Sequence, residues 1–341
     1  MKALQYASFG GAIEIVERGL PRPGPGEAVV AVAASGLCRS DWHAWAGHDA
    51  GVHLPQVPGH ECAGLVAEVG AGVARWQPGD RVTAPFVNGC GVCPWCRSGQ
   101  AQVCPDQTQP GFTDPGTHAE FVTVRAADTN LVGLPDGLSF DAAASLGCRF
   151  ATAHRALTRR AVVAPGEWVV IVGAGGVGLS AVMIAAALGA RPIAVDRNPA
   201  ALELATRVGA EAVVTAGPAA LTQLIELTGG VHVSLDAVGS AATADLAVRS
   251  LRRQGRHVQV GLVAEDPVVP LSRVIGWELS LLGSHGMPAV DYPALFRLIE
   301  HGLDPAMLVS RTVGLAEAAT LMRQPSGEGE AGIIVLHPNR A

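Results

Sequence analysis

Four cysteines fall in one short stretch, Cys90-x-x-Cys93-x-x-Cys96-x7-Cys104, broken by Gly89, Gly91, Pro94 and Gly99. Four soft thiolates on one loop match the ligand set of a tetrahedral zinc ion. With every position taken by protein, such a site holds a loop in shape rather than doing chemistry. Two disulfides or four free thiols are the other readings. The close paired spacing favours the metal, and nothing in the sequence indicates export. Three cysteines remain: Cys38, Cys62 and Cys148. Cys38 sits in Gly36-Leu37-Cys38-Arg39-Ser40-Asp41-Trp42-His43, and Cys148 in Ser145-Leu146-Gly147-Cys148-Arg149. A histidine with a carboxylate beside it sits in Pro58-Gly59-His60-Glu61-Cys62. Thiolate and imidazole bind metals. Spacing alone does not join these segments, and a lone cysteine is by default a small buried hydrophobe.

A second kind of chemistry is written at Gly173-Ala174-Gly175-Gly176-Val177-Gly178, which follows an apolar strand and opens a helix. In that setting Gly173 permits the tight turn, Gly175 lets the backbone approach a pyrophosphate, and Gly178 allows close helix–strand packing. The helix start, at Gly176 and Val177, then turns unpaired amides toward the phosphates. Asp196 ends the next strand. It is placed to accept from the adenosine ribose hydroxyls and repels a 2'-phosphate, which favours NAD over NADP. Arg197 beside it would welcome such a phosphate, but is read first as a surface arginine.

The elements that must position these groups change character near residue 145. Before it, Ala28–Ala34, Gly64–Val69, Asp80–Ala84 and Ala119–Val124 read as short strands between glycine and proline turns. After it, strands at Glu167–Val172, Arg191–Val195, Ala212–Thr215, His232–Ala237, Arg256–Gly261 and Glu278–Gly283 alternate with helices, among them Gly176–Leu188 and Pro199–Val208. That alternation predicts a doubly wound parallel sheet. Beyond His285, helices at Pro293–Glu300 and Leu315–Met322 and a strand at Gly332–Leu336 are expected to return to the first domain. The expected division is a catalytic zinc-binding domain of residues 1–144, completed by 286–341, and a dinucleotide-binding Rossmann domain of 145–285.

The 341 residues are 49% hydrophobic and 16% charged, with a formal net charge of −6. This composition supports a large core and argues against a nucleic-acid partner. Met1 to Gly10 lacks the apolar core of a signal peptide, and the apolar stretch Val177–Ala190 is too short to span a bilayer. A cytoplasmic protein with reduced cysteines is expected.

The Gly-His-Glu motif at 59–61, the four-cysteine loop, the glycine-rich turn at 173–178 and their order together resemble the zinc-dependent alcohol dehydrogenases of the medium-chain dehydrogenase/reductase family. The resemblance covers essentially the whole chain. It implies an α/β protein, with a Rossmann domain beside a mostly β, GroES-like catalytic domain, that uses NAD(H) and two zinc ions per subunit. It further implies that Cys38, His60 and Cys148 bind a catalytic zinc whose open position takes the substrate oxygen, with Glu61 beside the metal and able to exchange in as a ligand. The family's metal lowers the alcohol's pKa so that hydride can pass to the nicotinamide. Asp41 would orient His60, or cap a helix. By the same resemblance Ser40 and His43 relay the proton outward and Arg39 pairs with the pyrophosphate. Glutamate is common at the position of Cys148 in polyol-dehydrogenase relatives, so cysteine favours the alcohol dehydrogenase branch.

The implied activity is oxidation of a neutral primary or secondary alcohol, or reduction of an aldehyde or ketone, by a homodimer or homotetramer. The alternatives are a specialised polyol, amino-alcohol or glutathione-adduct dehydrogenase, and a non-catalytic dinucleotide-binding redox sensor. Trp42, Trp45, Phe86 and Trp95 lie near motif residues and are candidates for an apolar lining, with core packing equally open. Cys62 is read as packing with some scope for redox sensitivity. His48, His53, His118 and His154 carry no motif support.

Overall fold

The computed structural model describes residues 1–324 and 331–340. Of the expected returning segment 286–341, residues 325–330 and 341 lie outside these. One sheet is built from six parallel strands in the spatial order Ala212–Thr215, Arg191–Asp196, Trp168–Val172, Val231–Asp236, Leu251–Gln259 and Ser280–Gly283. Counted along the chain this order is 3-2-1-4-5-6, the doubly wound arrangement with its switch point beside the first strand. Trp168–Val172 shows why a parallel strand reads as a run rather than an alternation. Val169, Val170, Ile171 and Val172 are all buried, because helices cover both faces. The helix Gly176–Ala187 is apolar all round for a related reason. Leu179 to Ala185 are buried without a break, and the helix packs on both the sheet and the helix Ala151–Arg155.

The second sheet runs in the order Val309–Val313, Ile333–Leu336, Ala28–Leu37, Cys62–Val69, Arg81–Thr83 and Val132–Gly133, with Phe121–Val124 also pairing on Ala28–Leu37. The tail therefore lies beside the strand that ends just before Cys38: Leu336 faces Ser35, Val335 faces Gly36 and Ile334 faces Leu37. A separate antiparallel pair, Lys2–Tyr6 with Ile13–Glu17, packs outside this sheet. Among the described residues, no helix is long and apolar enough to cross a membrane.

The expected strands and helices are found within a few residues of their expected ends. Lys2–Tyr6, Ile13–Glu17, Val309–Val313 and the helix Leu271–Trp277 were not anticipated. Ile13–Glu17 and Val309–Val313 are half-polar strands, and only tertiary pairing stabilises them.

The glycine-rich turn is held by sterics. A Cβ at Gly178 would lie 1.7 Å from the carbonyl oxygen of Gly173, which is backbone and cannot move aside. Gly178→Ala is expected to destabilise the chain by about 1–3 kcal/mol and to weaken NADH binding. The urea midpoint and an NADH fluorescence titration check this.

Candidate active site and cofactor cradle

Ligand atoms of Cys38, His60 and Cys148 all lie within 4.8 Å of one another, although the residues come from three separate segments. Cys38 follows the long strand Ala28–Leu37 and caps the helix Arg39–Trp45. His60 ends a loop that enters the strand Cys62–Val69. Three donors from the strand Ala28–Leu37 and its neighbourhood pin that loop by its Glu61 carbonyl: Gly36 N–H at 3.1 Å, Ser35 Oγ at 2.8 Å and Thr117 Oγ1 at 3.2 Å. Cys148 sits on a widened helical turn, Leu146–Phe150, whose Phe150 N–H reaches back to Ser145 O. Widened turns of this kind gather at functional sites. Two bonds press this one inward, Phe86 N–H to Gly147 O at 2.9 Å and Tyr292 O–H to Leu146 O at 2.9 Å.

Asp41 joins the set. One carboxylate oxygen meets His60 Nδ1 at 2.8 Å and the other accepts from Cys38 N–H at 2.8 Å. The two roles open in the sequence, orienting His60 and capping a helix, are both filled, one by each oxygen. Asp41 is 1% exposed and His60 3% exposed. Burial opposes charge on His60, but the Asp41 carboxylate and Cys38 outweigh it and lift the imidazole well above its usual range. Cys38 is held well below the thiol range, chiefly by a hydrogen bond from Cys148, whose own thiol is pushed well above it. A bound cation would favour the thiolate form of both. The other nitrogen of His60, Nε2, is buried and without a hydrogen-bond partner among the described residues. Two sulfurs and one unpartnered imidazole nitrogen, with the opposite nitrogen held by a carboxylate, are what a catalytic zinc site requires.

Glu61 points beside this cluster. Burial lifts its carboxyl to about 7 against the pull of Arg149. Arg149 is itself buried. Its backbone N–H donates to Glu61 Oε1 at 3.0 Å. Its guanidinium bonds Leu37 O and faces Glu61 Oε2 at 3.3 Å, an ion pair without hydrogen-bond alignment. The Arg149 side chain also crosses to the glycine-rich turn, where a Cβ at Gly176 would meet its Cδ at 2.5 Å. No sequence signal marked Arg149 beyond its place after Cys148. His118, likewise unassigned, is fully buried, with Nε2 3.4 Å from Gly36 O and 3.9 Å from Asp41 Oδ2.

Ser40 Oγ lies 3.9 Å from Cys38 Sγ, while His43 sits on the outer part of the same helix. Phe86 and Phe112 flank the His60 ring at 6.1 and 5.5 Å between centroids, forming an apolar wall. Phe86 also meets His285, from the end of the parallel sheet, at 5.3 Å. Trp45 turns elsewhere: it donates to Gly11 O and packs with Leu4, Tyr6 and Val52. Trp95 is 53% exposed on the cysteine loop. Cys62 is buried, and burial pushes its thiol up to about 12, which leaves it no reactive thiolate.

The sulfurs of Cys90, Cys93, Cys96 and Cys104 also converge within 4.8 Å. Cys90 and Cys96 are 4.0 Å apart and Cys93 and Cys104 3.7 Å. A tetrahedron with Zn–S of about 2.3 Å has edges of about 3.8 Å. Backbone N–H groups of Val92 and Cys93 hold the Cys90 thiol down at about 7. Asn130 fixes the loop entrance by bonding both N–H and O of Gly89.

At the cofactor cradle Gly173 takes φ +96°, and Gly175 is exposed, with nothing within 4 Å of where a Cβ would stand. The backbone is therefore open to a phosphate. Asp196 accepts from Ala174 N–H at 2.7 Å and Asn198 N–H at 2.8 Å, which aims its carboxylate at the edge of this turn. Arg39 and Arg197 are exposed. Opposite, the buried Asp236 gathers Val238 N–H, Gly239 N–H, Thr243 Oγ1 and Gln259 Nε2, fixing a loop against Gly173.

Residues 24–136 match the family described as alcohol dehydrogenase GroES-like domain, and residues 176–301 the family described as zinc-binding dehydrogenase. An alcohol dehydrogenase of Geobacillus stearothermophilus is 38% identical over 83% of this chain and 84% of its own. An NAD-dependent alcohol dehydrogenase of Saccharolobus solfataricus is 33% identical over 93% and 94%. The solved alcohol dehydrogenase of Thermus sp. ATN1 superposes with a TM-score of 0.91, at 32% identity over 99% of both chains.

Replacing Asp41 by asparagine removes the charge that holds His60 while keeping the shape. Zinc affinity at the site containing Cys38 is expected to fall about 10–100-fold. Competition with a chromophoric chelator measures the loss.

Proposed function

The chain belongs to the zinc-dependent alcohol dehydrogenases of the medium-chain dehydrogenase/reductase family, and from that premise we propose how its own residues carry the reaction. It is a zinc-dependent oxidoreductase that moves hydride between NAD(H) and an alcohol or its carbonyl partner. In our reading Cys38, His60 and Cys148 hold the catalytic zinc, and Cys90, Cys93, Cys96 and Cys104 hold a second, structural one. When bound, zinc supplies Lewis acidity toward the substrate oxygen and the nicotinamide supplies the hydride acceptor. The observation that carries this reading is the meeting of two thiol sulfurs with the unpartnered Nε2 of His60, whose Nδ1 is held by Asp41.

The protein's own groups do the rest. Asp41 fixes the His60 tautomer and ring. Arg149 draws the Glu61 carboxylate to the side of the cluster, and Glu61 is the group poised to exchange in as a ligand. Ser40 takes the substrate proton toward the nicotinamide ribose, and His43 receives it near the surface. Arg39 reaches the pyrophosphate at the start of the helix Gly176–Ala187, and the exposed backbone at Gly175 supports that seat. Phe86 and Phe112 exclude water around His60, which suits a neutral substrate, and no cationic cluster among these residues marks an acidic one. Asp196 selects NAD over NADP, with Arg197 left in solvent.

Residues 1–144 with 286–341 form the catalytic unit and 145–285 the cofactor unit. The pairing of Ile333–Leu336 with Ala28–Leu37 supports this division. The chain works as a homodimer or homotetramer. Ser280–Gly283 is one edge of the parallel sheet, and Leu271 and Ile275 on the helix that precedes it in the chain are 62% and 76% exposed, which a neighbouring copy would cover. None of the seven cysteines is in a disulfide, in keeping with a reducing cytoplasm.

Turnover is measured at the NADH absorbance band with primary and secondary alcohols, aldehydes and ketones, using NAD(H) and NADP(H) in parallel. Turnover with NAD and little with NADP is expected. Cys38→Ala is expected to abolish it while NADH still quenches tryptophan fluorescence. Undiminished turnover in that variant would overturn the assignment of the metal ligands.

A further inference from the structure

Two histidines stand ring to ring where the helix that begins after Cys38 ends. The helix Arg39–Trp45 closes at Ala46, and Gly47 follows at φ +81°, a conformation that glycine adopts without strain. Gly47 N–H donates to Ala44 O at 3.2 Å and His48 N–H to His43 O at 2.9 Å. This doubly bonded, left-handed helix ending brings the residue three before the cap against the residue two after it, commonly as an apolar contact. Here the contact is imidazole on imidazole. The Nδ1 atoms of His43 and His48 are 3.0 Å apart, and Trp42 stands edge-on to both rings at 4.9 and 5.3 Å. One nitrogen of such a pair donates and the other accepts, so the two rings share a single proton between them. His43 is half-buried and His48 exposed. Burial, then the charges of Arg39 and His48, hold His43 below the usual imidazole range against an opposing pull from Cys38.

We propose that His48 is the last protein group on the proton path, delivering to solvent the proton that His43 receives during alcohol oxidation. The inference rests on the reading of His43 as the relay. A proton arrives at Nε2 of His43. The proton on Nδ1 of His43 then passes to the lone pair of Nδ1 of His48, and Nε2–H of His48 is released to water. One proton enters, one leaves, and no electrons are transferred. Once the cofactor has left, both rings regain their starting tautomers: Nε2 of His43 gives its proton to water, Nε2 of His48 takes one up, and the shared proton returns to Nδ1 of His43. The fold thus uses an ordinary helix ending to carry a buried relay to the surface without a water chain.

The test follows NADH formation and proton release together, in stopped-flow single turnovers of the zinc-loaded enzyme with NAD, the best alcohol of the panel and phenol red in weak buffer. In His48→Gln, proton release is expected to slow about tenfold and to lag behind NADH. That loss is below the roughly hundredfold floor of a direct general acid–base contribution. Free imidazole in the buffer is expected to restore it. Wild-type proton release in His48→Gln, with slow release in His43→Gln, would overturn the role of His48 and leave His43 as the relay. A slowing that imidazole does not repair would overturn it too, reducing the contact to the packing of a helix end. Wild-type behaviour in His43→Gln would remove the relay reading itself.

Discussion

The structure turns on one carboxylate. Asp41 gives one oxygen to His60 and the other to the backbone of Cys38, and so ties a helix start to a loop nineteen residues further along the chain. A buried carboxylate is costly unless its lone pairs are filled and a positive partner lies close. Burial alone would raise its pKa, but His60 and then His118 hold it below the usual range. The rest of the second sheet serves this arrangement. The strand Ala28–Leu37 delivers Cys38, the C-terminal strand braces it, and Gly36, Ser35 and Thr117 fasten the loop that delivers His60. Only Cys148 arrives from the other side, on a helical turn opened to present it.

Arg149 connects the two halves of the site. Its guanidinium meets Glu61 and Leu37 in the metal region, while its aliphatic stem lies on Gly176 at the dinucleotide turn. Both members of the ion pair are buried, so removing one would strand the other at a cost of about 3–5 kcal/mol. One side chain here spans from the Cys38–His60–Cys148 cluster to the glycine-rich turn.

The sequence carried much of this because the responsible features are local. The glycine-rich turn and the acidic end of the next strand lie within one strand–turn–helix–strand unit, and the cysteine loop is a single short segment. The cluster of Cys38, His60 and Cys148 was not legible from spacing, since its members meet only through tertiary structure. It came from resemblance to a family. Asp41 illustrates the difference: two roles were open, and geometry filled both, one with each oxygen. Arg149 and Asp236 escaped notice, and His48 and His118 were assigned no role, because nothing about their neighbours in sequence announces them. Trp45 and Trp95 drew attention by proximity in sequence to motifs, yet one fills a core beneath the first strands and the other faces solvent.

The most direct test of this account is zinc K-edge X-ray absorption on the purified enzyme, read together with its zinc content. The account predicts two zinc ions per chain, one for each thiol-bearing cluster. The averaged shell should be mainly sulfur at about 2.3 Å, with a distinct imidazole contribution at about 2.0–2.1 Å. One zinc per chain in a shell of sulfur alone would leave the cysteine loop as the only metal site and would contradict the assignment of Cys38, His60 and Cys148.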